Sequence, residues 1–260
     1  IGVCGPGKQN GGYFMESSSK PSQVATQVVR WLLEEMKSGE FRYAERLPPE
    51  TKLAEKLGVS RTAVRDGMAI LEREGFVGRK QGLGTIIYRN VLEVKTRIDL
   101  EKEFLDIIAE AGFTPGTNYT TVRYAKADNA DAAQWKIPVG EPLIHITRLI
   151  TADGVPAIYC EDSFPVKLIR EDGYDESDLQ KPIFSFFRKY CGTDVFMDLT
   201  EIHAVNADER LAAELQVPQG AALLHLNERG FDFCGNLLLC SQEYYREGIL
   251  THTILRKKIE

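Results

Sequence analysis

Two arginines four residues apart, Arg61 and Arg65 in VSRTAVRDGMAILEREG (Val59–Gly75), are the residues of this chain whose type and spacing point most directly to a chemistry. A guanidinium is a planar fork of donors. On a base edge it can give two hydrogen bonds, to guanine O6 and N7, worth about 1–3 kcal/mol of discrimination. Four residues make about one helical turn, so Arg61 and Arg65 share one face while Val64, Met68 and Leu71 share another. One side suits a core; the other is left for a partner. The competing reading is a solvated helix face with Asp66 and Glu72 as partners, because exposed charge is the usual helix surface.

The flanking residues predict how that helix is held. From Gln23 to Lys37, Val24, Val28, Trp31, Leu32 and Met36 form a helical stripe, and Gly39 follows as a stop. LPPETKLAEKLG, Leu47–Gly58, predicts a short second helix with Leu53, Ala54 and Leu57 inward. Only Gly58 and Val59 then precede Ser60, a good N-cap for the third helix. Two helices joined by so tight a glycine turn suggest a helix-turn-helix. After Gly75 the period changes. FVGRKQGLGTIIY reads as a strand, a basic glycine turn at Lys80–Gly84 and a returning strand at Thr85–Tyr88, a small wing.

Charge agrees with this division. Net charge is −6, but residues 1–90 carry 14 Lys+Arg against 10 Asp+Glu, whereas residues 91–260 carry 18 against 28. A weakly basic segment on an acidic body suits local DNA contact better than general polyanion binding. At 260 residues the chain has room for two domains. No apolar run approaches the roughly 20 residues that span a bilayer, and no leader resembles a signal peptide, so a cytoplasmic location is expected. Cys4, Cys160, Cys191, Cys234 and Cys240 are odd in number, scattered and never in a C-x-x-C pair, which predicts buried reduced thiols. The opening IGVCGPGKQNGGYF, before Met15, reads as a flexible extension, and its GPGK lacks the spacing of a phosphate loop.

The second half carries an internal repeat. NADAAQWKIPVGEPLIHITR (Asn129–Arg148) is echoed by NADERLAAELQVPQGAALLHLNERG (Asn206–Gly230), aligning from Ile137 against Val217 at an offset of 80. With one inserted residue the echo continues, ADGVPAIYCEDSF matching FCGNLLLCSQEYY. Each copy predicts a helix followed by a β-hairpin, and two hairpins can build one antiparallel sheet with helices on its faces.

LPPE, LAEKLGVSRTAVR, LEREGFV and GLGT, in this order, resemble the GntR family of winged-helix bacterial transcription regulators over about residues 21–90. LIHITRLITADGVPAIYCEDSF and LLLCSQEYYR resemble the effector-binding domain of its HutC subgroup, called UTRA, whose fold is similar to chorismate lyase. The expectation is therefore an α+β protein. It comprises an extension (1–20), a winged helix-turn-helix (21–90), a linker (91–95) and a mainly antiparallel sheet domain with helices that binds effector and dimerises (96–260).

The resemblance implies a regulator, a repressor, that binds a two-fold-symmetric double-stranded DNA operator as a homodimer and is released by a small molecule. Arg61 and Arg65 would read bases. Ser60, Thr62 and the free N–H groups of the helix start would hold phosphate, and Arg46, Arg79 and Lys80 would add phosphate or minor-groove contacts, with Thr51, Gly82, Gly84 and Thr85 completing the DNA-facing set. Three positions depart from the family pattern. Pro49 replaces a capping serine, Thr51 a base-reading arginine, and Leu83 a basic residue between the wing glycines.

For the effector, the resemblance implies a pocket beside the sheet with Arg148, Glu161, Ser163, Tyr245 and Arg246. On the inward face of Ile146 and Ile150, the Arg148 charge needs an anionic ligand or a carboxylate such as Glu161; a purely structural ion pair is the alternative. Many sugar-phosphate-binding relatives carry a second arginine where Ile150 stands, so carboxylate, amine and more apolar effectors stay open. His145 and His225, at equivalent repeat positions, read as satisfied strand histidines, and no metal spacing or cofactor loop is found. Two further readings compete: a lyase-like enzyme acting on a small carboxylated substrate, and a ligand sensor that no longer binds DNA.

Overall fold

A computed structural model describes residues 23–100, 102–171 and 173–258. The predicted N-terminal extension, with Cys4, lies outside them. The chain forms two units, one ending at Lys95 but including the residues from Ile254 onward, the other spanning Thr96–Thr253.

The first unit contains α1 (Gln23–Lys37), β1 (Arg46–Leu47), α2 (Glu50–Leu57), α3 (Arg61–Arg73), β2 (Val77–Lys80), β3 (Gly84–Ile87) and α4 (Arg89–Leu92). Val28, Leu32 and Met36 of α1 pack with Leu53 of α2 and with Val64, Met68 and Leu71 of α3. Burying each such side chain is worth about 1.5–3 kcal/mol. Val24, expected inward, is 39% exposed, and Ala25 takes the inward place. Gly67 lets the helices close up, since a Cβ there would lie 2.8 Å from Val28 Cγ1.

Helix starts and stops follow side-chain chemistry. Gly58 adopts a left-handed conformation (φ 65°) that ends α2, and Ser60 Oγ accepts from Ala63 N at 3.1 Å to start α3. Pro49 precedes α2 without any side-chain cap. The wing strands β2 and β3 pair antiparallel, and β1 adds to β3, giving the order β1-β3-β2. Arg89 locks the end of the wing by donating to the carbonyls of Met36 (2.5 Å), Ala44 (2.7 Å) and Phe41.

The second unit contains α5 (Phe104–Ala111), β4 (Pro115–Lys126), α6 (Asn129–Trp135), β5 (Pro142–Ala152), β6 (Val155–Pro165), α7 (Glu176–Leu179), α8 (Ile183–Phe186), β7 (Met197–Asn206), α9 (Glu209–Leu215), β8 (Ala222–Phe231) and β9 (Leu237–Arg246). Six antiparallel strands lie in the order β4-β5-β6-β9-β8-β7, so the two repeat copies meet where β6 pairs with β9.

The repeat extends to backbone detail. Lys136 and Gln216 end α6 and α9 in left-handed conformations at φ 51° and 52°. Gly140 and Gly220 donate to the carbonyls of Ala127 and Ala207, each at 2.8 Å. Each copy also begins with a strand, β4 or β7, in addition to the predicted helix and hairpin.

Candidate functional site

On the first unit, α3 buries Val64, Met68 and Leu71 and leaves Arg61, Thr62 and Arg65 exposed, as its period predicts. The Arg61 side chain is 71% exposed and only loosely paired to Glu50, at 3.6 Å. Ser60 Oγ accepts from Ala63 N with one of its two lone pairs, which leaves its hydrogen for a phosphate. Thr51 and Arg46 are exposed, and Arg46 sits on β1 opposite Ile86. At the wing tip Lys80, Gly82 and Gly84 are exposed and Thr85 is half-buried. Gly82 and Gly84 have φ of 80° and 77° and open space where a Cβ would stand.

Arg79 behaves differently from the other wing cation. Its backbone N and Nε donate to the two carboxylate oxygens of Glu72 at 2.9 and 2.7 Å, and Glu50 lies 3.8 Å from its Nη1. Burial pushes the Glu72 carboxyl up, but the hydrogen bonds and charge of Arg79, with the charge of Lys257, outweigh it and leave the carboxyl below its usual value. Arg79 thus ties the wing to α3. Glu72, a partner that the solvated-face reading needs for Arg65, is already committed.

On the second unit two small adjoining cavities, about 50 and 20 Å³, lie beside the sheet. Both are walled by Glu103, Phe104 and Ile183; Arg148, Ile150 and Lys181 line the first, and Asp162, Asp198, Glu228, Ser241 and Glu243 the second. By this measure a single water needs about 10–15 Å³, so the pair as it stands holds a few waters.

Arg148 is buried, as expected of its face, but its partner is Asp162 and not Glu161. It also donates to the Leu179 carbonyl at 2.9 Å, and Asp162 accepts from Ser241 Oγ at 2.6 Å. Glu161 lies on the other face of β6, where it accepts from Arg210 at 2.6 Å. Ser163 shares that face by alternation, and Arg246 is directed to the Leu215 carbonyl at 3.2 Å. Tyr245 is on the cavity face and donates to Glu243 at 2.5 Å, without lining the cavity itself.

The face assignment turns on one residue. The β5–β6 register slips between Ile150↔Ile158 and Thr151↔Pro156, leaving Ala157 as an extra residue. A one-residue slip exchanges the two faces of everything beyond it. Asp162 therefore points where an unbulged hairpin would put Glu161.

The second cavity is rich in carboxylates. Burial pushes Glu103 and Glu228 up to about 7 and Asp198 up to about 6. Glu228 accepts from Thr200 Oγ1 at 2.9 Å, and Glu103 accepts from the Phe184 backbone N at 3.3 Å. The repeat exposes an asymmetry. Glu228 stands where the first copy has Arg148, and Glu243 where it has Asp162, so one copy holds an ion pair and the other two acids. Sequence reasoning missed Glu228 although the repeat offset was in hand, and missed Glu103 because it precedes the repeat.

His225 bonds Gln242 at 2.7 Å and stacks on Tyr244 at 4.5 Å, while burial and Arg123 lower the His145 pKa. Cys160, Cys191 and Cys240 are buried free thiols, whereas Cys234 is exposed. No helix among the described residues is long and apolar enough to cross a membrane.

Comparison with known proteins addresses the two units separately. The family model for bacterial regulatory proteins of the gntR family matches residues 24–87, and that for the UTRA domain matches residues 110–248, more than half of the chain. The chain is 25% identical over 232 residues to the HTH-type transcriptional repressor NagR of Bacillus subtilis, covering 88% of this chain and 93% of that protein. It is 24% identical over 236 residues to a probable fructoselysine utilization operon transcriptional repressor of Shigella flexneri, covering 89% and 93%. Among solved structures, the possible transcriptional regulator YydK of Bacillus subtilis superposes with a TM-score of 0.72 at 16% identity, over 90% of this chain and 99% of that one. PhnF of Mycobacterium smegmatis superposes at 0.54 and 20% over the same shares. With α3 opening onto exposed arginines and a carboxylate-lined cavity in the second unit, this chain belongs to the GntR family of bacterial transcription regulators, with a UTRA domain.

Proposed function

We propose that the protein is a cytoplasmic repressor that holds a two-fold-symmetric operator as a homodimer and releases it when a small molecule enters the cavities of the UTRA domain. The observation that carries the DNA side is α3 itself: a capped helix with a closed core on one face and Arg61 and Arg65 exposed on the other. The repressors NagR and the fructoselysine-operon regulator, alike over nearly the whole chain, support the sign of regulation. The family assignment also favours a regulator over the lyase-like reading.

An anionic effector finds little here that is not already paired. Arg148 is neutralised by Asp162, and the adjoining lobe holds four further carboxylates, Glu103, Asp198, Glu228 and Glu243. A basic group on the effector would stand toward Glu228 and Glu243 as Arg148 stands toward Asp162 in the other copy. We therefore read the effector as a small polar molecule bearing an amine.

Entry needs more than the present volume, so Glu103 and Phe104 must yield to admit it. The chain leading to them passes through Thr96–Ile98, immediately after the first unit ends at Lys95. A ligand that favours the displaced arrangement shifts the population of the segment that carries the DNA-binding unit.

The homodimer is read from β7, an edge strand with Met197, Leu199 and Ile202 exposed. Such an edge is a natural pairing surface.

The test is selection of bound duplexes from a random DNA pool at physiological salt, then titration of the winner. A two-fold-symmetric site bound far more tightly than scrambled duplex supports the reading. Uniform, salt-sensitive binding to every duplex would end it.

A further inference from the structure

The residues that follow the effector unit return to the DNA-binding unit. Ile254 onward belongs with the first unit, although the preceding 158 residues, Thr96–Thr253, form the second. Lys257 Nζ donates to the carbonyls of Glu72 and Arg73 at 2.7 and 2.6 Å, the last turn of α3. Carbonyls there lack the i+4 partners of the helix interior, the Glu72 carbonyl accepting instead from Gly75 N at 3.1 Å, and a cation is favoured by the helix dipole. Leu255 packs over Gly75, where any Cβ would collide with its side chain, and Gly75 is buried at φ 77°.

We propose that Leu255 and Lys257 are positioning residues for DNA recognition. They fix the C-terminal end of α3 and, through Glu72, the wing. The chemistry is continuous. Lys257 grips the backbone of Glu72, and the Glu72 carboxylate grips both the backbone and the guanidinium of Arg79 on β2. Neither positioning residue needs to touch a base. Their effect is to narrow the range of angles between recognition helix and wing before DNA arrives, so that less ordering accompanies binding.

The same tail is a second covalent route between the units. Thr253 N donates to the Thr96 carbonyl and Ile98 N to the Thr253 carbonyl, both at 3.0 Å, and Thr96 Oγ1 donates to the Thr251 carbonyl. The chain leaving the effector unit is thus paired to the chain entering it.

This inference rests on the operator-binding reading, and its test separates the two. If the unaltered full chain selects no duplex, that reading fails before the tail is examined. Given a selected operator, Lys257→Met in the full chain is expected to weaken it by about three- to tenfold, the worth of one to two net hydrogen bonds. Lys257→Arg restores most of the loss. In an Arg79→Ala background, Lys257→Met should cost little more, because the wing is already released. Hydrogen exchange at Glu74–Phe76 should quicken in Lys257→Met and in a chain ending at Thr253. Parental affinity in both of those variants, or a Lys257→Met loss fully additive with Arg79→Ala, overturns the proposal.

Discussion

Arg148 and Glu228 occupy the same position in the two copies of the repeat, but Arg148 is ion-paired to Asp162 whereas Glu228 accepts from the Thr200 hydroxyl. Asp162 corresponds to Glu243, so the repeat relates an ion pair to a pair of acids across the β6–β9 seam. If a basic ligand group binds beside Glu228 and Glu243, Glu228→Gln together with Glu243→Gln should abolish the thermal upshift produced by an amine-bearing effector while leaving operator binding intact. Differential scanning of a panel of small amines and carboxylates tests this. A panel in which only phosphorylated or carboxylated compounds raise the melting temperature contradicts it.

The same groups set a pH dependence. Burial holds Glu103 and Glu228 near 7 and Asp198 near 6, above the usual carboxylate range, so they favour their protonated forms in the fold. Their contribution to stability is full below the unfolded carboxylate pKa and is lost as pH rises through about 6 to 7. The ligand-free protein should therefore melt lower at pH 8 than at pH 6, with Glu228→Gln flattening the change. Amine affinity should move oppositely, tightening as the carboxylates ionise.

Arg65→Ala should remove base discrimination at one position of each half-site, costing about 1–3 kcal/mol on the selected operator and much less on scrambled duplex. Competition binding distinguishes this from loss of a phosphate contact, which would weaken both duplexes alike. Arg79→Ala should behave as a wing defect, because Arg79 is spent on Glu72.

Ser60→Ala removes the Oγ that accepts from Ala63 N, and the first unit should lose about 1 kcal/mol of stability. Operator affinity falls as well, since the same residue stands at the phosphate-facing start of α3. Urea melts resolve the first effect and titrations the second.

Leu199→Asp with Ile202→Asp should halve the sedimenting mass if β7 carries the homodimer, because both side chains are about half exposed in the single chain. An unchanged monomer–dimer balance would place the interface elsewhere.

The DNA-binding unit was largely legible because its signals are local. Ser60, Gly58 and the Val64, Met68 and Leu71 stripe each act within a turn or two, and each fell where the pattern put it. Val24 misled because the true inward row of α1 runs through Ala25, too small to weigh in a pattern. The strands β4 and β7 escaped notice because each is a sheet edge with few buried side chains, so period-2 alternation is faint. The cavity was half legible. Arg148 announced itself as a charge among isoleucines, but which acid met it depended on a register that spacing alone does not fix.

With Ala157 as the extra residue, the row bearing Cys160 and Asp162 faces the cavity and the row bearing Tyr159 and Glu161 faces α9. Drawing Ala157 into regular pairing would exchange the rows, whereas deleting it would leave Ile150 opposite Ile158 and both rows where they are. What the cavity offers a ligand is thus set in part by a bulge at the far end of the hairpin, outside the residues that line it.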